Sequence, residues 1–183
     1  PEVELPVELV SRKGRFHLVP VVFIVGNSNT GKTLLIERLV GVLKESNYRI
    51  AVIKHAPHGY EPDVQGKDTW RYCRAGVDEV VVVGPESLTH HSFYRQEPAL
   101  PDIIKRIEND VDLVIVEGFK KQAGPKIEVL RKGYTTQRLN LGSDLIAVVS
   151  DCPSEEKEEK VPSFTPDEVE RLADFLVRRF SLK

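Results

Sequence analysis

The chain has 183 residues, 30% of them charged, and a formal net charge of −2 at pH 7. This length predicts a single domain over residues 1–183, and the near balance of charge argues against a nucleic-acid-binding or membrane-surface protein. No apolar run approaches the roughly 20 residues that a membrane-spanning helix needs, and the first residues lack the basic region of a signal peptide. We therefore expect a cytoplasmic protein.

Apolar, β-branched runs alternate along the chain with segments of helical periodicity. Strands are predicted at 18–25, 49–54, 78–84, 112–118, 126–130 and 145–150, and 89–94 is either a strand or a turn. Helices are predicted at 32–47, 67–75 and 101–109. Because parallel strands need crossovers of helical length, this alternation predicts an α/β fold with a mostly parallel central sheet and helices on both faces.

The two ends of the chain are less regular. Residues 1–19 are interpreted as an N-terminal extension without a predicted element, and 153–162 as a charged, solvated loop. Thr165 is predicted to be the N-cap of a last helix, with Pro166 at its first position and an apolar face that includes Leu172.

The segment 26–33 satisfies the phosphate-loop pattern in full, between a predicted strand and a predicted helix. Its glycines permit backbone conformations that turn successive N–H groups toward phosphate oxygens, and the helix start adds its positive dipole end. Lys32 is predicted to reach the terminal phosphates, and Thr33 to offer its hydroxyl to Mg²⁺. The predicted nucleotide-binding residues of this phosphate loop are Gly26, Asn27, Ser28, Asn29, Thr30, Gly31, Lys32 and Thr33.

Two carboxylates are candidates to bind metal or to position water. Glu117 ends an apolar strand and resembles a Walker B residue with Glu in place of Asp, although a helix-facing salt bridge is the alternative. Asp63 opens an Asp-x-x-Gly sequence of the kind that senses a γ-phosphate, although such a sequence is also common in surface turns.

Basic residues and histidines near these carboxylates leave more than one interpretation open. Lys120, Lys121, Lys126 and Arg131 form a local basic excess that is either a solvated face or a site for a second anion. His55 and His58 lack the further ligands of a zinc site and are interpreted as loop residues with a structural hydrogen-bonding role.

The ordered set of motifs resembles the molybdopterin-guanine dinucleotide biosynthesis protein B (MobB) family. The resemblance covers residues 21–151. The matching segments are the phosphate loop, Ile53-Lys54-His55, 63–69 followed by Arg74-Ala75-Gly76, 116–120 and 125–129.

The resemblance implies a P-loop fold and a homodimer that binds GTP with Mg²⁺, hydrolyses GTP weakly and assists the family's guanylyltransferase, which attaches GMP to molybdopterin. It implies Lys32, Asp63 and Glu117 as catalytic residues, with Thr33, Asp63 and Glu117 toward the metal. It also implies ligand contacts for the phosphate loop and for residues outside it, namely Thr69, Lys120 and Arg131.

The preference for GTP over ATP does not follow from the motifs, because the Asn-Lys-x-Asp sequence that reads guanine in ordinary GTPases is absent. Asp151, which ends a late predicted strand, is a hypothetical acceptor for the guanine N–H groups. Two other functions stay open. One is an independent small-molecule kinase or ligase, with Lys54 or Lys120 holding the acceptor, and the other is a non-catalytic adaptor that carries molybdopterin.

Overall fold

The structure, a computed structural model, describes residues 19–107, 110–135, 137–151 and 161–183. The chain divides into two compact units, one formed by the described residues up to His55 and from Ile104 onward, the other by Ala56–Ile103. The interpretations made for residues 1–18 and for 152–160 fall outside the described residues. The expectation of a single domain stays a prediction.

The larger unit is built on a six-stranded sheet. Its strands are β1 (Val21–Val25), β2 (Ile50–Lys54), β5 (Leu113–Glu117), β6 (Lys126–Leu130), β7 (Leu145–Ser150) and β8 (Ser163–Phe164). They lie in the order β2-β5-β1-β6-β7-β8, and each neighbouring pair is parallel. The predicted α/β fold with a mostly parallel central sheet is therefore confirmed.

One face of this sheet is covered by α1 (Lys32–Glu45) and α4 (Val169–Phe180), which also pack on each other. Alternate residues of β1, Val22 and Ile24, join Leu39 and Leu172 in the main apolar core on this face. The residues between them in β1 are buried as well. The apolar run of β1 thus reflects a strand that is covered on both faces, as expected in a parallel sheet.

The opposite face of the sheet carries two buried charges on β6. The Lys126 ammonium donates to Asp144 at 2.5 Å, and the Glu128 carboxylate accepts from the Arg138 guanidinium at 3.0 Å and from the Leu139 N–H at 2.7 Å. The partners of these two charges, Asp144, Arg138 and Leu139, all belong to the connection between β6 and β7. These bonds attach that connection to the sheet at two points, and its described part contains only the short 3-10 turn Gly142–Asp144.

The smaller unit contains α2 (Asp68–Ala75) and an antiparallel hairpin of β3 (Glu79–Val83) and β4 (Leu88–Ser92). Gly76 ends α2 in a left-handed conformation, as the sequence indicates. The segment left open as strand or turn is therefore a strand. It pairs with its neighbour because a short connection closed by Gly84 and Ser87 permits only an antiparallel partner.

The helices α3 (Leu100–Ile107) and α4 differ from expectation at their first residues. α4 begins at Val169, so the prediction of Thr165 as its N-cap is wrong. Thr165 follows the two-residue strand β8, which the sequence did not predict, and its N–H donates to the Glu168 carboxylate at 2.8 Å. The Glu168 N–H donates in turn to the Thr165 carbonyl, so Pro166 lies in a turn before the helix.

Among the described residues, no helix combines the length and apolar character needed to cross a bilayer.

Candidate nucleotide-binding site

Three neighbouring strands of the larger unit end at the same edge of the sheet. β1 leads into the phosphate loop, β2 ends at Lys54 and β5 ends at Glu117. The parallel register pairs Glu117 with Ile24 on one side and with Lys54 on the other. Ligands of open α/β sheets bind beyond the carboxyl ends of the strands, so this edge is the candidate site.

The phosphate loop has a backbone that only particular residues can adopt. Gly26 has φ +151°, and a Cβ atom there would lie 2.4 Å from the Val129 carbonyl oxygen of β6. Asn29 and Gly31 also have positive φ values, 61° and 91°. Inside the loop, the Thr30 hydroxyl donates to the Asn27 carbonyl at 3.0 Å. The loop therefore has a fixed backbone conformation, and it continues directly into the first turn of α1.

Lys32 is the first residue of α1, and its ammonium donates to the Asn27 carbonyl at 2.5 Å. The side chain therefore bends back over the phosphate loop. Burial lowers the pKa of Lys32, Glu117 acts in the opposite direction, and the ammonium groups of Lys120 and Lys54 lower the pKa further. The positive charge of Lys32 is thus one of three that converge on this edge of the sheet.

Thr33 and Glu117 meet directly although they are 84 positions apart. The Thr33 hydroxyl donates to Glu117 Oε1 at 3.1 Å, and Glu117 Oε2 lies 3.7 Å from the Lys54 ammonium. Mg²⁺ in phosphate-binding sites is held by one or two protein oxygens together with phosphate oxygens and water. The hydroxyl and carboxylate here fit that requirement. The ion pair of Glu117 is with Lys54 at the end of a neighbouring strand, and not with a helix as the alternative interpretation had it.

The chain leaves Glu117 through a tight bend that packs on His55. Gly118 has φ +101°, and a Cβ atom there would lie 3.1 Å from the His55 Cβ. Phe119 has φ 49°, and its ring stacks on the His55 ring with centroids 4.2 Å apart. The His55 N–H donates to the Glu117 carbonyl at 2.9 Å. These contacts agree with a structural role for His55, and they direct the chain from Glu117 toward Lys120.

Arg131 and Asp151 directly follow the last residues of β6 and β7, which are paired. The Arg131 guanidinium lies 5.2 Å from the centroid of the Tyr134 ring. Asp151 Oδ1 accepts a hydrogen bond from the Lys132 N–H at 2.8 Å. Both residues therefore lie on the carboxyl edge of the sheet, as was predicted for Asp151. Their ligand roles stay predictions.

Three candidate residues, two charged and one neutral, have surroundings that the motifs did not indicate. Lys126 is buried at the start of β6 and bound to Asp144, so it does not belong to an exposed basic cluster beside Glu117. Asp63 lies in the smaller unit, where its Oδ1 accepts from the Val64 N–H at 2.7 Å, and Thr69 lies in α2 of the same unit. The roles of Asp63 and Thr69 toward a nucleotide stay predictions.

Two contacts of the site were missed by reasoning from the sequence. They are the ion pair of Lys54 with Glu117 and the approach of Val129 to Gly26. Both join strand ends that are far apart in the chain. The only sequence signal is that Lys54 and Glu117 each end a strand, which indicates an edge of the sheet but not a neighbour.

The sequence model of the molybdopterin guanine dinucleotide synthesis protein B family matches residues 21–151. The chain is 33% identical over 138 residues to the molybdopterin-guanine dinucleotide biosynthesis adapter protein of Haemophilus influenzae, covering 75% of this chain and 78% of that protein. It is 31% identical over 165 residues to the Escherichia coli protein of the same name, covering 87% of this chain and 93% of the other.

Solved structures agree with these sequence matches. A crystal structure of molybdopterin-guanine biosynthesis protein B is similar with a TM-score of 0.70 and 32% identity, over 87% of this chain and 99% of the other. The crystal structure of Bacillus subtilis MobB is similar with a TM-score of 0.71 and 30% identity, over 90% and 98% of the two chains.

Proposed function

This chain belongs to the molybdopterin guanine dinucleotide synthesis protein B (MobB) family, and on that basis we propose that it is a cytoplasmic GTP-binding adaptor in the biosynthesis of this dinucleotide. It binds GTP with Mg²⁺, hydrolyses GTP slowly and assists the guanylyltransferase that attaches GMP to molybdopterin. The names of the Haemophilus and Escherichia relatives support the adaptor part of this proposal.

The observation that carries the nucleotide-binding part is the contact between Thr33 and Glu117, 3.1 Å between hydroxyl and carboxylate. It joins the end of the phosphate loop to the end of β5, the two places where a P-loop protein holds a metal ion and phosphate. A purely structural glycine-rich turn does not require an acidic side chain beside its last residue. The contact therefore favours a nucleotide site over a purely structural turn.

The residues of the site act mainly by position and charge. The N–H groups of the phosphate loop and the Lys32 ammonium bind phosphate oxygens and offset the charge that develops on them during hydrolysis. Thr33 and Glu117 are the residues that hold Mg²⁺, which when bound supplies further positive charge to the phosphates. Asp63 is the second carboxylate proposed to position water or the metal. A site of this kind, without an arginine in a recognised finger motif, suits slow hydrolysis.

Residues on the same sheet edge are proposed to bind the rest of the ligands. Lys120 and Arg131 supply positive charge for molybdopterin, whose phosphate is an anion, and Asp151 supplies a carboxylate for the guanine N–H groups. Nucleic acid and membranes are not expected as ligands of this chain, given its net charge of −2.

The hairpin of β3 and β4 supports a homodimer. Val81, Val83 and Leu88 are 53%, 74% and 64% exposed. They share one face of the two-stranded ribbon, because Val83 pairs with Leu88 and Val81 lies two residues from Val83. An exposed apolar patch of this kind commonly marks an interface. A second copy of the chain is the partner we propose for it.

A calorimetric titration with GTP, ATP and molybdopterin, each with and without Mg²⁺, tests the proposal. We expect Mg²⁺-dependent GTP binding that the Lys32→Ala variant lacks, with Lys44→Ala as the control, because Lys44 is exposed at the far end of α1. Normal GTP binding by Lys32→Ala would contradict the proposal. Transfer of the γ-phosphate to a small acceptor without a second protein would favour the kinase or ligase instead.

The adaptor that only carries molybdopterin is tested by reconstituting guanylylation with the transferase. If Thr33→Ala and Glu117→Gln leave both transferase binding and guanylylation intact, the nucleotide has no part in assistance. We expect both variants to keep transferase binding and to lose the stimulation of guanylylation.

A further inference from the structure

The Lys54 ammonium occupies a position beside the proposed metal ligand Glu117 that the phosphate-loop motif does not account for. Lys54 and Glu117 are the last residues of β2 and β5, and the parallel register makes them direct neighbours. Their charged atoms are 3.7 Å apart, while Glu117 is 13% exposed and Lys54 is 61% exposed. The carboxylate is therefore held in place by its surroundings, and the ammonium approaches it from solvent.

Both oxygens of Glu117 are already engaged. Oε1 accepts from the Thr33 hydroxyl at 3.1 Å, and Oε2 faces the Lys54 ammonium. The distance of 3.7 Å exceeds the 2.7–2.9 Å of a charge-assisted hydrogen bond, so the interaction is an ion pair without a direct bond. Such a contact gives way readily when another cation takes the carboxylate.

The charges around Glu117 oppose a divalent cation that arrives alone. Lys54 lies 3.7 Å from this carboxylate, and the charges of Glu117, Lys54 and Lys120 all act on the Lys32 ammonium. These four groups together carry a net charge of +2 when all are ionised. A divalent cation must enter that positive environment and displace Lys54 at the same time.

A nucleotide changes this balance because its phosphates bring several negative charges to the same edge of the sheet. The Lys54 side chain, most of which is exposed, can then turn from the carboxylate to a phosphate oxygen. We propose that Lys54 is a positioning residue that keeps the Glu117 carboxylate from holding a divalent cation until a nucleotide polyphosphate binds the phosphate loop. This inference rests on the proposed function, and it adds an order of binding in which nucleotide precedes or accompanies the metal.

In the first measurement the 183-residue chain is titrated with Mn²⁺ alone. The electron paramagnetic resonance signal of the free ion reports how much Mn²⁺ is bound. Mn²⁺ replaces Mg²⁺ because both prefer oxygen ligands. We expect Lys54→Gln to bind Mn²⁺ about tenfold more tightly than the unchanged chain, and Lys54→Arg to behave like the unchanged chain because it keeps the charge. Adding Glu117→Gln to Lys54→Gln should abolish the higher Mn²⁺ affinity, because that affinity depends on the Glu117 carboxylate.

The second measurement is the affinity for a non-hydrolysable GTP analogue with and without Mg²⁺. The factor by which metal raises nucleotide affinity equals the factor by which nucleotide raises metal affinity. A variant that binds metal more tightly only in the absence of nucleotide therefore shows a smaller factor. We expect the increase in affinity brought by Mg²⁺ to be about tenfold smaller in Lys54→Gln than in the unchanged chain. A purely structural ion pair would leave this ratio unchanged.

Lys44→Gln is the matched control. Lys44 is an exposed lysine of the same unit, about 18 Å along α1 from Lys32 at 1.5 Å per residue. Unchanged Mn²⁺ affinity in Lys54→Gln, a gain that survives the removal of the Glu117 charge, or an equal gain in Lys44→Gln would each overturn the inference. Failure of the unchanged chain to bind the GTP analogue would instead overturn the proposed function, and with it the premise of this inference.

Discussion

The Val129 carbonyl oxygen of β6 lies 2.4 Å from the point that a Cβ atom on Gly26 would occupy. β6 therefore supports the phosphate loop from behind, and the first glycine of the loop is required both for its positive φ and for this close approach. Any side chain at residue 26 must displace either the loop or the backbone of β6.

Gly26→Ala is expected to weaken GTP binding by about 5- to 150-fold, because strain of about 1–3 kcal/mol in a phosphate loop acts directly on its N–H groups. Gly41→Ala is the control, since Gly41 lies within α1 and a Cβ atom there meets nothing within 4 Å. The control should bind GTP normally and gain up to about 1 kcal/mol of stability from the better helix former. Calorimetric titration measures the first effect and denaturant unfolding the second.

Thr33→Ala is expected to remove most of the effect of Mg²⁺ on GTP affinity, because the hydroxyl beside Glu117 is lost. Thr33→Ser keeps the hydroxyl and should retain the Mg²⁺ dependence. The affinity of each variant is measured with Mg²⁺ and with a chelator. If Thr33→Ala responds to Mg²⁺ as strongly as Thr33→Ser does, the hydroxyl is not a metal ligand.

Glu128→Gln is expected to lower the free energy of unfolding by about 1.5 kcal/mol, since it removes the charge of a buried carboxylate whose partner Arg138 is 36% exposed. Glu128 is 1% exposed and accepts from Arg138 and from the Leu139 N–H. Asp167→Asn removes the exposed pair with Arg38 and should change stability by less than about 0.5 kcal/mol. If the two substitutions change the free energy of unfolding in urea equally, the contacts of Glu128 with the connection between β6 and β7 do not stabilise the fold more than an exposed ion pair does.

Asp112 predicts a dependence of stability on acid pH. Burial acts to raise the pKa of Asp112, but hydrogen bonds from the Arg49 guanidinium and N–H, with the charge of Arg49, hold that pKa below its ordinary value of 3.8. The stabilisation is therefore present above pH 3.8 and is lost as the pH falls through the lower, folded-state pKa. Asp112→Asn should be less stable than the unchanged chain at pH 7, and the difference should shrink toward pH 3. A difference that stays constant across this range would mean that the charge of Asp112 contributes nothing.

Asp151→Asn tests the hypothesis for guanine recognition. Loss of the carboxylate should reduce the preference for GTP over ATP by about tenfold or more, because two N–H donors of guanine would lose a charged acceptor. The variant keeps an oxygen that can accept from the Lys132 N–H, so the local fold should persist. An unchanged ratio of the two affinities would remove Asp151 from the site.

The structure differs from the sequence-based predictions at the start of α4 and at Lys126, and in both places the physical reason is visible. Thr165 and Pro166 have the residue types of a helix start, but the Glu168 carboxylate and the Thr165 N–H close a turn before α4 begins. Lys126 looked like part of a basic surface, but Asp144 reaches it from a later segment and the pair is buried. In each case a contact with a residue several or many positions away decided the outcome.

Local patterns in the sequence were sufficient for the order of the elements other than β4 and β8, for the phosphate-loop motif and for the position of Glu117 at a strand end. Helical periodicity, buried strands and glycine-rich turns are encoded over a few neighbouring residues. Only the tertiary structure decided which strand ends are neighbours. The order β2-β5-β1-β6 places Lys54 against Glu117 and Val129 against Gly26. Strand order depends on the packing of the whole sheet, so the charges and close contacts that shape the site could not be predicted from any one segment.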